Sequence, residues 1–324
     1  MKELSRRKFL QATALAGMGL SLESWAAGLE NRRIGIIGLD TSHSQVFTRL
    51  INAGNRGGFK VVAAYAQGSK DIPSALQLKA GVTQAVADMG IEIVDSIDAL
   101  LSKVDYVLLE TNDGRPHLEQ ALPVLKARKP LFIDKPIAAS LAGAQAIFKA
   151  AHQYQTPVFS SSALRYDGNV EKVVRGSIGK VMGADVYTPA DLEKNHLDLA
   201  WYAIHGVEML FTVMGPGCTF VSRTYEKDSD LVTGIWSDGR IGTVRGIRSG
   251  ATSIAGTAFG EKGIAPLGPF TGYQPLVDTI LHFFETRQPP VSAEQTLEIF
   301  AFMQAADESR KHQGKRIALQ EVRK

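Results

Sequence analysis

The sequence predicts an α/β protein in which a doubly wound parallel sheet is followed by an α+β domain with a mostly antiparallel, open sheet. Between residues 33 and 159, short β-rich runs alternate with helical patterns, which is typical of a parallel sheet covered on both faces. After residue 160 the strand-like runs lengthen and carry hairpin signals. With 324 residues, 44% of them hydrophobic, the chain is long enough to bury two cores.

The first predicted domain covers residues 32–156, and its elements follow from the alternation of apolar runs and amphipathic segments. The predicted strands are Ile34 to Ile37, Lys60 to Tyr65, Ile91 to Val94, Tyr106 to Leu109, Leu131 to Ile133 and Val158 to Phe159. The predicted helices are Ser44 to Ala53, Ser74 to Leu78, Ile97 to Leu101, His117 to Ala127 and Ala142 to Gln153. A sheet of this kind binds ligands at the carboxyl ends of its strands.

The second predicted domain covers residues 157–324. Asp238-Gly239 lies between two β-prone runs and predicts a hairpin. A helix from Trp201 to Met214 interrupts the strands, and two helices close the chain: Tyr273 to Thr286, and Ala293 to Lys311 after the Pro289-Pro290 break.

Residues 1–26 have the layout of a twin-arginine-type signal peptide. Arg6 and Arg7 precede an uncharged stretch, Ala12 to Leu22, which is too short to span a bilayer, and Ser24-Trp25-Ala26 suits cleavage. We therefore expect an exported protein, periplasmic or otherwise, with no stable membrane span. The alternative is a basic, frayed N-terminus.

Composition excludes several classes of function. The formal net charge of +3 arises from cations scattered among acids, without the basic patch that nucleic-acid binding needs. The single cysteine, Cys218, excludes an intrachain disulfide and any multi-cysteine metal site. A small-molecule ligand is therefore expected.

The turn after the first strand resembles a Rossmann phosphate site with altered glycines. The usual G-x-G-x-x-G is here Gly38-Leu39-Asp40-Thr41-Ser42-His43, so Asp40 and His43 occupy the second and third glycine positions. A carboxylate beside a diphosphate is repulsive unless it is protonated, turned away or bridged by a cation. Ser42 and Gln45 have capping-box spacing, and the helix N-terminus retains N–H groups for an anion. The alternative is a capped turn without a ligand.

Two further stretches lie at predicted strand ends. Ser69 and Lys70 follow the second strand and suit the 2′-phosphate of NADP, although a solvated loop has the same composition. Lys135 follows the fifth strand and precedes Pro136, so its ammonium is expected at the ligand-binding edge. A lysine there can hydrogen-bond a substrate hydroxyl, whereas the plain alternative is a solvent-facing side chain.

Imidazoles, carboxylates and aromatic rings are concentrated between His196 and Glu208. On a helix, Trp201, His205 and Glu208 share one face and could contact one ligand. A metal site using His196, Asp198, His205 and Glu208 lacks a zinc signature, and we predict no metal.

Together these stretches resemble the glucose-fructose oxidoreductase, inositol dehydrogenase and MocA (Gfo/Idh/MocA) family. The strand Val107 to Leu109 with Glu110-Thr111-Asn112 and His117 is similar to its fourth-strand turn and histidine. Asp134-Lys135-Pro136 is similar to its E-K-P triplet, and Ala203 to Glu208 to its G-x-H-x-x-D helix. Pro289 to Glu294 also matches, so the resemblance covers nearly the whole chain after the signal.

The resemblance implies bound NAD or NADP, hydride transfer at a sugar or polyol carbon, and an open second sheet that builds homo-oligomers. Lys135 would bind the reacting hydroxyl, and His205 would be the acid/base. The expected cofactor contacts are Gly38, Leu39, Asp40, Ser42, His43, Ser69, Lys70, Thr111, Asn112, His117 and Lys135. The expected substrate contacts are Arg165, His196, Asp198, Trp201 and Tyr202.

Besides the two replaced glycines, the sequence departs from the family pattern at two positions. Asp134 replaces a glutamate, which is a mild change, but Trp201 occupies the site of the helix aspartate and cannot relay a proton. Asp198 or Glu208 is the expected substitute. Because free nicotinamide cofactor is scarce outside the cytoplasm, an exported enzyme would keep it bound, in a ping-pong or redox-neutral reaction. The alternative is a cofactor-free sugar-binding or assembly protein.

Overall fold

The structure is a computed structural model that describes residues 32–54 and 56–323. The predicted signal peptide lies outside the described residues. The first half contains β1 (Arg33–Ile37), α1 (Ser42–Ala53), β2 (Lys60–Tyr65), α2 (Pro73–Asp88), β3 (Glu92–Val94), α3 (Ile97–Leu101), β4 (Tyr106–Leu109), α4 (His117–Lys126), β5 (Leu131–Asp134), α5 (Leu141–Tyr154) and β6 (Val158–Ser161). The helices in the described ranges include none that is long and apolar enough to cross a membrane.

These strands form one six-stranded parallel sheet in the order β3-β2-β1-β4-β5-β6, so the predicted doubly wound architecture is confirmed. The strand order reverses between β1 and β4, where a ligand crevice is expected. Because β6 extends to Ser161 and belongs to this sheet, the first sheet runs past the predicted boundary at residue 156.

The second half contains α6 (Gly168–Val174), β7 (Val181–Pro189), α7 (Ile204–Met214), β8 (Cys218–Glu226), β9 (Ser229–Trp236), β10 (Ile241–Ile247), β11 (Ala255–Gly260), β12 (Ile264–Leu267), α8 (Gln274–Thr286), α9 (Ala293–Lys311), β13 (Ile317–Ala318) and α10 (Leu319–Val322). Its sheet has the order β12-β11-β7-β10-β9-β8-β13, and only β7 and β10 pair in parallel. The predicted hairpin joins β9 to β10, with Gly239 in the left-handed region at φ 85°.

Helix α8 belongs to the second half of the chain but packs on the first sheet. Its residues Leu276, Ile280 and Phe283 are buried in the same apolar cluster as Ile34 of β1 and Phe47 of α1. This return brings Tyr273, which precedes the helix, beside the start of α1.

Candidate active site

A cavity of about 480 Å³ lies where the carboxyl ends of the parallel strands meet the start of α7. Residues from both halves of the chain line it: Thr41, Ser42, His43, Ser74, Asn112, Lys135, Asp191, Trp201, Tyr202, His205 and Tyr273. It therefore brings together the two side chains, Lys135 and His205, that the sequence predicts for proton transfer and substrate binding.

Lys135 and His205 are both nearly buried, at 9% and 8% exposure. Lys135 follows β5 directly, so the strand end fixes its position. The Nδ1 atom of His205 is 2.7 Å from the Ser162 hydroxyl oxygen, which leaves Nε2 for a ligand. Burial, together with the positive charge of Lys135, lowers the pKa of His205 well below its usual value. The imidazole is therefore neutral near pH 7 and able to accept a proton.

The first glycine of the altered fingerprint is structurally required. Gly38 has φ 90°, and a Cβ atom there would lie 2.4 Å from the backbone nitrogen of Thr111. The turn thus retains the glycine that the fingerprint uses for its tight turn.

Asp40 is turned away from solvent and bridges two loops. Its carboxylate is fully buried and accepts hydrogen bonds from the backbone N–H groups of Ser69, at 2.6 Å, and Asn112, at 3.0 Å. Gly68 lies directly against it, since a Cβ there would be 2.3 Å from an Asp40 oxygen. Of the arrangements that relieve repulsion of a diphosphate, the structure adopts the one in which the carboxylate points inward.

A second cavity, of about 600 Å³, lies at the end of β2 on the other side of this bridge. Ser69 and Lys70 line it, together with Ile97 and Gln120. The two cavities therefore flank the Asp40 bridge at the edge where a dinucleotide binds in this fold. With the carboxylate turned inward and Gly38 in place, the residues present fit a dinucleotide that spans both cavities.

The start of α1 differs from the predicted capping box. Thr41, not Ser42, is the N-cap, and its side chain accepts from the His43 N–H at 3.4 Å. The His43 ring lies between Asp134 and Tyr273, with Nδ1 2.7 Å from Asp134 Oδ2 and Nε2 2.9 Å from the Tyr273 hydroxyl. At this position a glycine would leave the Asp134 carboxylate without its imidazole partner.

Two other predicted cofactor contacts, Leu39 and His117, are buried and line neither cavity. Leu39 is fully buried in the core of the first sheet. His117 is also fully buried, with Nδ1 3.0 Å from the Ile137 carbonyl and Nε2 2.8 Å from the Thr111 carbonyl. Burial lowers the pKa of His117. Its contacts hold the turn after Lys135 against the β4 loop, so it positions the site without lining either cavity.

Of the five predicted substrate contacts, the structure brings Trp201 and Tyr202 to the cavity and leaves three elsewhere. Arg165 is buried and paired with Glu208, with 3.0 Å between Nε and Oε2. This pair also removes Glu208 as a substitute for the helix aspartate, because its carboxylate is already neutralised. Trp201 itself precedes α7, which begins at Ile204 and not at residue 201 as predicted.

His196 and Asp198 have other partners. His196 Nε2 accepts from the Gly114 N–H at 3.0 Å, and its ring contacts Trp201 at 5.1 Å between centroids. Asp198 pairs at 2.8 Å with Arg223, a fully buried arginine that also binds Asp230 and Asp307. Asp198 therefore neutralises the buried charge of Arg223, and it does not line the cavity.

A comparison with family models matches residues 32–162 to GFO_IDH_MocA, described as "Oxidoreductase family, NAD-binding Rossmann fold". This domain belongs to the Gfo/Idh/MocA family. No curated protein sequence matches the chain.

Solved structures share the fold of the Gfo/Idh/MocA domain and of the second sheet. Myo-inositol dehydrogenase from Lactobacillus casei in complex with NAD(H) and myo-inositol is 19% identical, with a TM-score of 0.70 over 88% of this chain and 96% of that one. Scyllo-inositol dehydrogenase from the same organism, with bound NAD(H) and scyllo-inositol, is 16% identical, with 0.70 over 90% and 100%. Myo-inositol 2-dehydrogenase from Lactobacillus plantarum is 17% identical, with 0.72 over 89% and 99%.

Sequence reasoning missed Asp191 and Tyr273, which line the cavity, and Glu110, which lies beneath it. Asp191 and Tyr273 belong to loops of the second half of the chain that only the folded structure brings to the Gfo/Idh/MocA domain. Burial, followed by the nearby Asp134 charge, raises the pKa of Tyr273 to about 12, so its hydroxyl remains a neutral donor. Glu110 was recognisable as a charged residue at the end of an apolar strand.

Proposed function

We propose that this chain is an NAD(P)-dependent oxidoreductase that acts on a carbohydrate or cyclitol. The observation that carries the proposal is the cavity shared by Lys135 and His205 at the edge of an NAD-binding type of sheet. The inositol dehydrogenases that share the fold bind NAD(H) and cyclitols, which supports the same class of substrate here.

The residues of the cavity suit oxidation of a secondary alcohol. Lys135 donates a hydrogen bond to the substrate hydroxyl oxygen, and neutral His205 accepts the hydroxyl proton at Nε2. Trp201 and Tyr202 supply flat apolar surface of the kind that covers a sugar ring and excludes water. A bound dinucleotide would supply the hydride acceptor, with its diphosphate held by the α1 N-terminus and its adenosine ribose by the Ser69 loop.

Two variants test the assigned roles. We expect Lys135→Met and His205→Asn to lower kcat by about 10²- to 10⁴-fold on an inositol or sugar alcohol substrate, with a smaller effect on KM. Lys126→Met, an exposed lysine of α4, is the matched control. Full activity in both site variants would exclude these roles.

A tightly bound cofactor and export through a twin-arginine signal belong to the same proposal. The test is to purify the mature protein without added cofactor, denature it, and measure released NAD or NADP by absorbance and mass spectrometry. Stoichiometric release supports a cofactor that stays bound through turnover and directs the substrate search to redox-neutral reactions.

A second candidate function, a cofactor-free sugar-binding or assembly protein, is favoured by the Asp40 bridge. The bridge uses two backbone N–H groups at the edge where a dinucleotide would cross. No released dinucleotide, and no binding on titration of NAD or NADP, would favour this function and contradict the first.

We also propose that the chain forms homo-oligomers through the exposed face of its second sheet. Large apolar side chains are exposed there on neighbouring strands: Met182, Tyr187, Ile241, Phe259 and Ile264. Sedimentation velocity of the wild type and of Ile264→Lys tests this, because burial of a lysine in the interface would shift the equilibrium to monomer.

A further inference from the structure

Three potential metal ligands converge beneath the cavity from three different elements. His43 is in the first turn of α1, Glu110 follows β4, and Asp134 ends β5. Each offers one ligand atom, and these atoms all lie within 4.8 Å of one another. All three residues are buried, with exposures of 8%, 0% and 3%. Residues 32–54 and 56–323 contain no other such group of histidine, cysteine and acidic side chains.

Three of the four carboxylate oxygens of this cluster lack partners. Within the described part of the chain, both oxygens of Glu110 and Oδ1 of Asp134 are buried without a hydrogen-bond donor. Buried polar atoms in proteins nearly always have a hydrogen-bond partner or bind an ion. Three neighbouring buried oxygens without a partner therefore indicate that one bound group interacts with all of them. A divalent cation would satisfy all of them at once.

The local charge also favours a cation. The His43 ring acts on Asp134, and the Lys135 charge acts on both carboxylates. With His43 neutral, as a metal-binding imidazole is, two negative groups face one ammonium. A proton on Glu110 is the alternative, since burial and the Asp134 charge raise the pKa of Glu110 well above its usual value. A proton would balance the charge, but even a proton shared between the two carboxyl groups would leave one Glu110 oxygen without a partner.

The geometry of His43 suits a ligand. Its Nε2 lies 2.9 Å from the Tyr273 hydroxyl oxygen, which orients the ring and can accept from Nε2–H when Nδ1 binds an ion. Nδ1 is 2.7 Å from Asp134 Oδ2, a hydrogen-bond distance, so a bound ion would take the place of the proton between these two atoms. One imidazole with two carboxylates is a donor set for Zn²⁺ or Mn²⁺, whereas Mg²⁺ and Ca²⁺ prefer oxygen ligands alone.

We propose that His43, Glu110 and Asp134 form a binding site for a divalent transition-metal ion at the floor of the cavity. Because His43 also lines the cavity, an ion bound here would lie next to a ligand in the cavity. The proposal does not depend on the oxidoreductase function, because it is argued from the three ligands and their unpaired oxygens and not from a bound dinucleotide.

The test uses the untagged mature chain, stripped with EDTA and dialysed. Isothermal calorimetry with ZnCl₂ and MnCl₂, and metal analysis after gel filtration, should give one ion per chain for at least one of these metals. Glu110→Gln keeps the size of the side chain but removes its charge, and we expect it to weaken binding at least 100-fold. Glu298→Gln is the matched control, because that buried carboxylate already accepts from the Gly217 and Cys218 N–H groups.

Two readouts keep the proposal testable if Glu110→Gln unfolds. The visible spectrum of Co²⁺ added to the wild type should show bands of a protein-bound ion that Zn²⁺ abolishes. Lys135→Met should raise the metal affinity, because it removes the cation that opposes the ion. The absence of stoichiometric binding, or equal binding by wild type and Glu110→Gln, would overturn the site. Dinucleotide release is measured separately, so the two proposals can fail independently.

Discussion

Replacement of Asp40 by alanine tests whether this carboxylate joins the loops after β1, β2 and β4. Asp40→Ala removes two hydrogen bonds from backbone N–H groups to a fully buried carboxylate. Hydrogen bonds to a charged group contribute about 1.5–3 kcal/mol each, and loss of the carboxylate also removes its own cost of burial. We therefore expect the free energy of unfolding to fall by about 2–4 kcal/mol.

The assay is urea denaturation followed by circular dichroism, with Asp95→Ala as control. Asp95 is an exposed acid of the same sheet domain, and its replacement should change the free energy by less than about 0.5 kcal/mol. If Asp40→Ala were as stable as Asp95→Ala, the carboxylate would not join these loops, and the reason for an aspartate at the second glycine position would have to be sought in ligand binding.

Three further perturbations have definite expected results. Gly38→Ala should destabilise the chain by more than about 2 kcal/mol, because Gly38 has a positive φ and its Cβ would meet the backbone of Thr111. Gly81→Ala lies in open space on α2 and should stabilise the chain by about 0.5–1 kcal/mol. Thermal melts that give the opposite order of stability would contradict this. Arg223→Met should cost about 3–5 kcal/mol in urea denaturation, since it leaves Asp230 buried without that partner, and a cost below 1 kcal/mol would refute the argument. Burial lowers the pKa of His205, so the unfolded chain binds the extra proton and stability should fall as pH decreases below about 6.5. His205→Gln should reduce this slope by up to about 1.4 kcal/mol per pH unit, and an unchanged slope between pH 5.5 and 6.5 would exclude a neutral buried imidazole.

The strands of the first sheet could be predicted closely because they are short, continuous apolar runs. Lys60–Tyr65 and Tyr106–Leu109 have the predicted bounds.

Helix α2 was predicted to end at Leu78 but extends to Asp88. Only three of its residues are buried, Ala75, Val82 and Val86, so its apolar face is too narrow for the periodicity to mark its full length.

The site was predictable where the parallel sheet itself fixes the position of a residue. Lys135 comes directly after a strand, and the carboxyl edge of the sheet is where such residues meet. The inward turn of Asp40 depends on Gly68 and Ser69, which reach it only after β2 pairs with β1. The pairings of Arg165 and Asp198 depend on tertiary ion pairs that no local pattern specifies.

The return of α8 to the first sheet has a consequence for the order of events during synthesis. Ile34 and Phe47 share their core with Leu276, Ile280 and Phe283, so the ribosome must synthesise strands β7 to β12 before these early residues acquire their last neighbours. A nascent chain that ends before α8 therefore has an uncovered apolar surface on the first sheet. Such a surface is the kind that chaperones bind, and the packing of α8 covers it.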